Sequence, residues 1–137
     1  MKKKNIEDHK LVDQYSKRLI ETIKQDKYSE INSLYKKLFL TWKNKKTIYI
    51  CGNGGSAGNA NHIANDLIFA AGKKNKKGLK VESLASNPAI LTCLANDIGY
   101  ENIFSEQLKV KGAKGDLLIL LSGSGNSKNI INAVKMA

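Results

Sequence analysis

Two segments have a composition that could do chemistry: Gly52-Asn53-Gly54-Gly55-Ser56 and Ser122-Gly123-Ser124-Gly125-Asn126-Ser127. Glycines in series let backbone N–H groups converge on a ligand, and a helix that follows adds its positive N-terminal end. Serine hydroxyls can donate further bonds to phosphate or sugar oxygens. One such loop is common. Two in one small domain, each carrying serine, point to a ligand with a phosphate at one end and hydroxyls along its length. Tight turns alone seldom need so many serines beside the glycines. The P-loop pattern G-x-x-x-x-G-K-[ST] is absent. Gly52 to Ala57 does satisfy the G-x-G-x-x-A of dinucleotide sites. However, two helical segments precede its strand, and the next strand ends in Ser86 and Asn87 where an acidic residue would hold a ribose. No nucleotide cofactor is expected.

His62 and Asp66 form a second constellation. Their i, i+4 spacing puts them on one helix face just beyond the first loop. That arrangement suits a metal or an acid/base pair, and a partly desolvated carboxylate can move a proton between adjacent carbons. An exposed His–Asp pair on an ordinary helix has the same spacing, so spacing alone leaves both readings open.

The elements that must position these residues alternate between strand and helix. Leu11, Val12, Tyr15, Leu19, Ile20 and Ile23 recur at helical spacing, as do Ile31, Leu34, Tyr35, Leu38, Phe39 and Trp42 after a polar break near Asp26 to Ser29. Thr47 to Cys51 reads as a buried strand running into the first loop, and the helix after it stops at Gly72. A basic loop over 73–78, with Lys73, Lys74, Lys76 and Lys77, leads to a second strand over 80–85. Asn87-Pro88 caps a helix through Ala95. A polar turn over 96–100 and a helix around Ile103 to Leu108 follow. Asp116 to Leu121 reads as the most buried strand and feeds the second loop, with a final helix from about Asn129. Such alternation implies a three-layer α/β domain with a parallel sheet, the first two helices packed outside it. The chain divides into N-terminal helices over 1–46 and a parallel core over 47–137. Both loops then fall beyond the carboxyl ends of strands, where open parallel sheets bind ligands.

Composition excludes several classes. The 137 residues suffice for one domain with a core of its own. The charged start lacks the apolar run of a secretory signal, and no stretch approaches the roughly 20 apolar residues of a membrane helix. Cys51 and Cys93 stand far apart in apolar segments, which reads as buried free thiols of a cytoplasmic protein. The net charge of +11 raises nucleic acid as a partner. Arg18 is the only arginine, and a bias toward Lys, Asn and Ile accounts for the charge, which argues against that partner.

With these residues in place, the run Cys51-Gly-Asn-Gly-Gly-Ser-Ala-Gly-Asn-Ala-Asn-His-Ile-Ala-Asn-Asp-Leu67 resembles the loop and helix of bacterial phosphoheptose isomerases. Leu94-Ala-Asn-Asp-Ile-Gly-Tyr-Glu101 is similar to that family's middle signature. Gly115 through Ser127 resembles its second phosphate loop. Three motifs in order identify the chain as a sugar-isomerase (SIS) domain of that type. The resemblance implies a flavodoxin-like α/β/α fold that lacks its C-terminal strands and helix here. It also implies conversion of sedoheptulose 7-phosphate, or a similar ketose phosphate, to the aldose phosphate for surface-polysaccharide heptose. By the same resemblance, Asn53, Gly54, Gly55, Ser56, Asn96 and Asp97 touch the sugar. Ser122, Gly123, Ser124 and Ser127 hold the phosphate. His62 matches a zinc-binding histidine of some members, and Asp66 stands where the family has a glutamate that serves as metal ligand and catalytic base. A homotetramer is implied too.

Three departures mark this chain. Asp66 is one methylene shorter than glutamate, Asn59 replaces a common acidic residue, and Gly123 replaces a frequent threonine. The alternative is a non-catalytic SIS module of the replication-initiator-binding kind, which keeps the sugar pocket without turnover.

Overall fold

The computed structural model describes residues 2–24, 28–69, 73 and 77–137. The first two amphipathic segments form helices α1 (Lys2–Lys24) and α2 (Tyr28–Lys43). The chain divides into two units, Met1–Tyr35 and Lys36–Ala137, so the boundary falls inside α2. Leu38 gives the reason, because it packs on an apolar cluster of the sheet and belongs with the second unit. In the first unit the apolar stripe of α1, Leu11, Val12, Tyr15, Leu19, Ile20 and Ile23, is exposed.

The second unit runs β1 (Thr47–Gly52), α3 (Gly55–Ile68), β2 (Lys80–Ser83) and α4 (Pro88–Ile98). A 3-10 turn (Tyr100–Asn102), α5 (Ser105–Lys111), β3 (Leu117–Leu121) and α6 (Lys128–Met136) complete it. The strands are parallel in the order β2-β1-β3, with Ile50 opposite Ser83 on one side and Ile119 on the other. Side chains alternate along β1 because strand geometry has a period of two. Ile48 and Ile50 meet Ala60 of α3 on one face. Tyr49 and Cys51 meet Phe104, Leu108, Ile130 and Ala133 on the other. Ile48, Ile50 and Phe104 are at most 1% exposed. Each contributes roughly 1.5–3 kcal/mol by leaving water. Helices on both faces of a parallel sheet give the three layers expected.

Topology sets where a ligand goes. The chain steps from β1 outward to β2, then crosses back over β1 to β3. Right-handed crossovers in opposite directions put their helices on opposite faces, which is the distribution seen in the two clusters. Strand order therefore reverses between β1 and β3, and the crevice beyond their carboxyl ends is the natural ligand position.

Local chemistry corrects several expected boundaries. Helix α4 does not stop at Ala95 but continues through Asn96 and Asp97 to Ile98. Asn87 Oδ1 accepts from Ala89 N–H at 3.0 Å and Ile90 N–H at 3.2 Å, and the stop comes only at Gly99 with φ 92°. Strand β2 ends at Ser83 because Ser86 N–H turns back onto Ser83 O. Strand β3, expected as the most buried, is half-buried throughout. Both its faces are covered, yet among the described residues no strand pairs with its outer edge. Cys93 is exposed on α4, not buried, whereas Cys51 is buried as expected, which pushes its thiol up to about 12. The expected helix stop at Gly72, the break at Asp26, and Lys74 and Lys76 of the basic loop lie outside the described residues.

Candidate functional site

The first loop begins where β1 ends. A Cβ on Gly52 would stand 2.7 Å from Ser56 Cβ and 2.8 Å from Leu121 O, so only glycine lets β1, β3 and α3 approach this closely. Gly54, with φ 54°, opens α3 with no side-chain cap. Ser56 N–H turns back onto Asn53 O and Ala57 N–H onto Gly54 O, each at 3.0 Å. The space where Gly54 and Gly55 would carry side chains is open. A ligand oxygen can therefore approach the uncapped start of α3.

The second loop springs from the register-matched neighbour, since Gly52 pairs with Leu121. Ser122 Oγ accepts from Gly125 N–H at 3.0 Å and Ser124 Oγ from Asn126 N–H at 3.2 Å. These bonds coil the loop around Gly125, whose φ is 67°. Each hydroxyl that accepts in this way keeps its own hydrogen for donation. Ser127 starts α6 but its side chain makes no capping bond. The loop thus presents hydroxyl donors in front of an uncapped helix start, an arrangement suited to an anion.

A pair of amides joins the two loops. Asn53 Nδ2 donates to Asn129 Oδ1 at 2.9 Å, and Asn129 Nδ2 donates back to Asn53 Oδ1 at 2.8 Å. Tyr100 O–H also donates to Asn53 Oδ1, at 3.0 Å. Asn129 is 2% exposed and lies in the first turn of α6. Asn53, expected to touch the sugar, thus spends most of its side chain on holding the loops in register. Tyr100 and Asn129 join the candidate site although the sequence did not single them out. Tyr100 sits inside the middle motif, which was a signal; Asn129 had none beyond being a polar residue on an otherwise apolar helix face. With Glu101, Ser127 and Lys128, these three line a cavity of about 270 Å³.

His62 and Asp66 meet as expected, with Nε2 3.3 Å from Oδ2. Their side chains are 73% and 57% exposed. They line a second cavity, about 360 Å³, with Asn59, Ile63 and Leu121, the last strand residue before Ser122. Imidazole nitrogen and carboxylate oxygen are donors zinc accepts, but a zinc site needs at least three protein ligands. Among the described residues no group of three His, Cys, Asp or Glu side chains comes together. The pair alone does not make a zinc site. Asn96 and Asp97 lie exposed on α4, where Asn96 Nδ2 donates to Asp97 Oδ1 at 2.8 Å; they line neither cavity. Asp97 also accepts from the Cys93 thiol at 3.6 Å. That hydrogen bond and the carboxylate's charge push the thiol's pKa above its ordinary value.

Comparison with known proteins adds a family and two solved structures of like fold. The SIS domain profile matches residues 13–137. A phosphoheptose isomerase of Helicobacter pylori (strain Shi470) is 46% identical over 100 residues, covering 73% of this chain and 52% of that protein. One from Aliarcobacter butzleri (strain RM4018) is 45% identical over 97 residues, covering 71% and 51%. The solved phosphoheptose isomerase of Francisella tularensis superposes with a TM-score of 0.83 at 26% identity, over 95% of this chain and 69% of that one. The Neisseria gonorrhoeae enzyme gives 0.73 at 30% identity, over 93% and 68%. The chain spans about half the length of the curated relatives it matches.

Proposed function

Because the chain belongs to the SIS domain family, we propose that it carries the sugar-phosphate site of a ketose–aldose isomerase acting on sedoheptulose 7-phosphate or a near relative. The observation that carries this reading is the pair of Gly/Ser loops on adjacent, register-matched strand ends, tied together by Asn53 and Asn129. Relatives named phosphoheptose isomerase at 45–46% identity support the substrate class.

The phosphate sits at the second loop, where Ser122, Ser124 and Ser127 donate hydroxyls and the start of α6 adds its dipole. The sugar chain passes over Gly54, Gly55 and Ser56. Asp66 removes a proton from C1, beside the ketone, giving an enediolate; the hydroxyl proton passes from O1 to O2, and Asp66 returns its proton to C2 as the aldose forms. His62 holds the carboxylate in place through its 3.3 Å contact. Bound sugar covers the cavity around Asp66 and strips water from it, strengthening the base. The product would feed heptose synthesis for a surface polysaccharide in the cytoplasm. A homotetramer would cover the exposed apolar stripe of α1.

Hydrogen–deuterium exchange at C1 of sedoheptulose 7-phosphate, with deuterium uptake at C2 of the aldose formed, in heavy water is the direct test. Asp66→Asn keeps the size and removes the base, so exchange should collapse while binding survives. Equal exchange in parent and variant refutes Asp66 as the base. The high exposure of the His62–Asp66 pair favours one second reading, a non-catalytic sugar-phosphate module. Binding without any exchange by the parent would select it.

A further inference from the structure

At the other end of the sheet from the Gly/Ser loops lies a cavity of about 690 Å³, lined by Trp42 and by Lys43, Lys45, Lys46, Lys77 and Lys80. It faces the amino ends of β1 and β2, where Thr47 pairs with Lys80. Backbone geometry builds its walls. Lys45 adopts φ 57°, a left-handed conformation uncommon outside glycine, and Lys46 N–H closes the end of α2 onto Thr41 O at 3.0 Å. On the far wall a Cβ at Gly78 would stand 1.7 Å from Ile68 O, so glycine alone lets the chain press against the end of α3. Leu79 N–H fixes that approach by donating to Leu67 O at 3.1 Å. Lys77 and Lys80 flank this pinned stretch.

The electrostatics are one-sided. Among the described residues no carboxylate lines the cavity and none of the five lysines joins an ion pair; the neighbouring Asp116 is engaged with Thr47 N–H at 2.9 Å. Four exposed lysines, Lys43, Lys45, Lys77 and Lys80, concentrate positive charge at one mouth, while the Lys46 stem lies against Gly115, so a bound polyanion is favoured. Trp42 is the only tryptophan and is half-buried, and lysine stems add apolar surface around it. The complementary ligand carries a flat ring for the indole and several negative charges for the lysines. A phosphate monoester, with about two charges, leaves most of the lysines unmatched. A strand of nucleic acid needs an extended groove, whereas this volume lies within the roughly 300–1,000 Å³ of small-ligand sites.

We propose that this cavity binds a nucleoside polyphosphate, its base stacked on Trp42 and its phosphates between Lys45 and Lys77, apart from the Gly/Ser site. Base stacking on an aromatic side chain is sequence-tolerant, so the phosphates set most of the affinity and salt weakens it.

Because Trp42 is the sole tryptophan, its emission reports on this cavity directly. ATP should change that emission saturably, and adenosine should not. The exposed pair Lys45→Ala and Lys77→Ala, combined, should raise the dissociation constant about tenfold or more without altering circular dichroism. Ser124→Ala should leave ATP binding unchanged, which separates this cavity from the Gly/Ser loops. Inorganic triphosphate should bind at least about tenfold more weakly than ATP, since it lacks the ring. By calorimetry, Trp42→Phe should retain weakened binding. Four results would overturn the proposal: no saturable response, equal affinity in the lysine variant, loss of binding in Ser124→Ala, or inorganic triphosphate binding as tightly as ATP.

Discussion

Asn129→Leu should uncouple the two loops while nearly conserving volume. The wild-type side chain is 2% exposed and makes two amide bonds to Asn53, at 2.9 and 2.8 Å. Each such bond contributes roughly 0.5–1.5 kcal/mol net, and a donor left without a partner costs about 1–3 kcal/mol. Asn53 is half-buried and keeps the Tyr100 bond on Oδ1, so water and Tyr100 replace part of what is lost. A leucine at a buried position also recovers some transfer free energy. The balance is a loss of about 2 kcal/mol, which for a domain of this size lowers the Tm by several degrees.

A mutant cycle decides whether that loss belongs to the pair. Asn53→Ala removes the same two bonds from the other side. If the pair acts as one unit, the double variant should cost little more than the worse single, with a coupling of about 1–2 kcal/mol in urea denaturation. Sugar-phosphate affinity by calorimetry should fall alongside, because the first turn of α6 no longer holds the first loop. Single losses that add within about 0.5 kcal/mol, with affinity intact, would refute the lock.

Gly55→Ala meets open space at an unstrained helical position. Stability should hold or rise by about 0.4–1 kcal/mol, while the methyl obstructs the sugar and weakens its binding; unchanged affinity would move the sugar elsewhere. Asp66→Glu adds the methylene of the glutamate that the family resemblance implies at this position. Heavy-water exchange should persist or accelerate, because misplacing a base by about 1 Å costs on the order of 100-fold. Cys93 is exposed, yet its raised pKa keeps it largely protonated at neutral pH, so alkylation should be slow and quicken with alkalinity. Asp97→Asn removes the charge and should shift that rate profile to lower pH, while Cys51, buried and pushed up to about 12, should react only on unfolding.

The fold was legible in the sequence because its signals are local. Alternating strand and helix patterns, the Asn87-Pro88 start and the glycines after β1 and β3 each act within a few residues. His62 and Asp66 were legible for the same reason, being one helical turn apart. The Asn53–Asn129 pair was not, since its members are 76 residues apart and only the parallel pairing of β1 with β3 brings them together. The end of α4 was misjudged because Asn96 and Asp97 have turn-like composition. Capping by Asn87 upstream and the positive φ of Gly99 downstream outweigh that composition. Burial of Cys93 was misjudged because an apolar neighbourhood in sequence does not tell which helix face a residue occupies.

The layered fold also explains why the site has two cavities. Helix α3, with His62 and Asp66, covers the Ile48–Ile50 face of the sheet, whereas α6 covers the Tyr49–Cys51 face with Ser127 and Asn129 at its start. A proton-moving group on one face can act on a ligand whose phosphate lies toward the other only if the ligand crosses the sheet's carboxyl edge. The crossing lies over the ends of β1 and β3, where Gly52 permits the close approach of strands and helix and Gly54, Gly55 and Gly123 leave side-chain space open. A compact anion such as free phosphate could occupy the serine loop without reaching Asp66. An elongated sugar phosphate can engage both ends. On the proposed reading the separation of the two cavities would select for ligand length, and the open space at Gly54, Gly55 and Gly123 would let the ligand make that crossing.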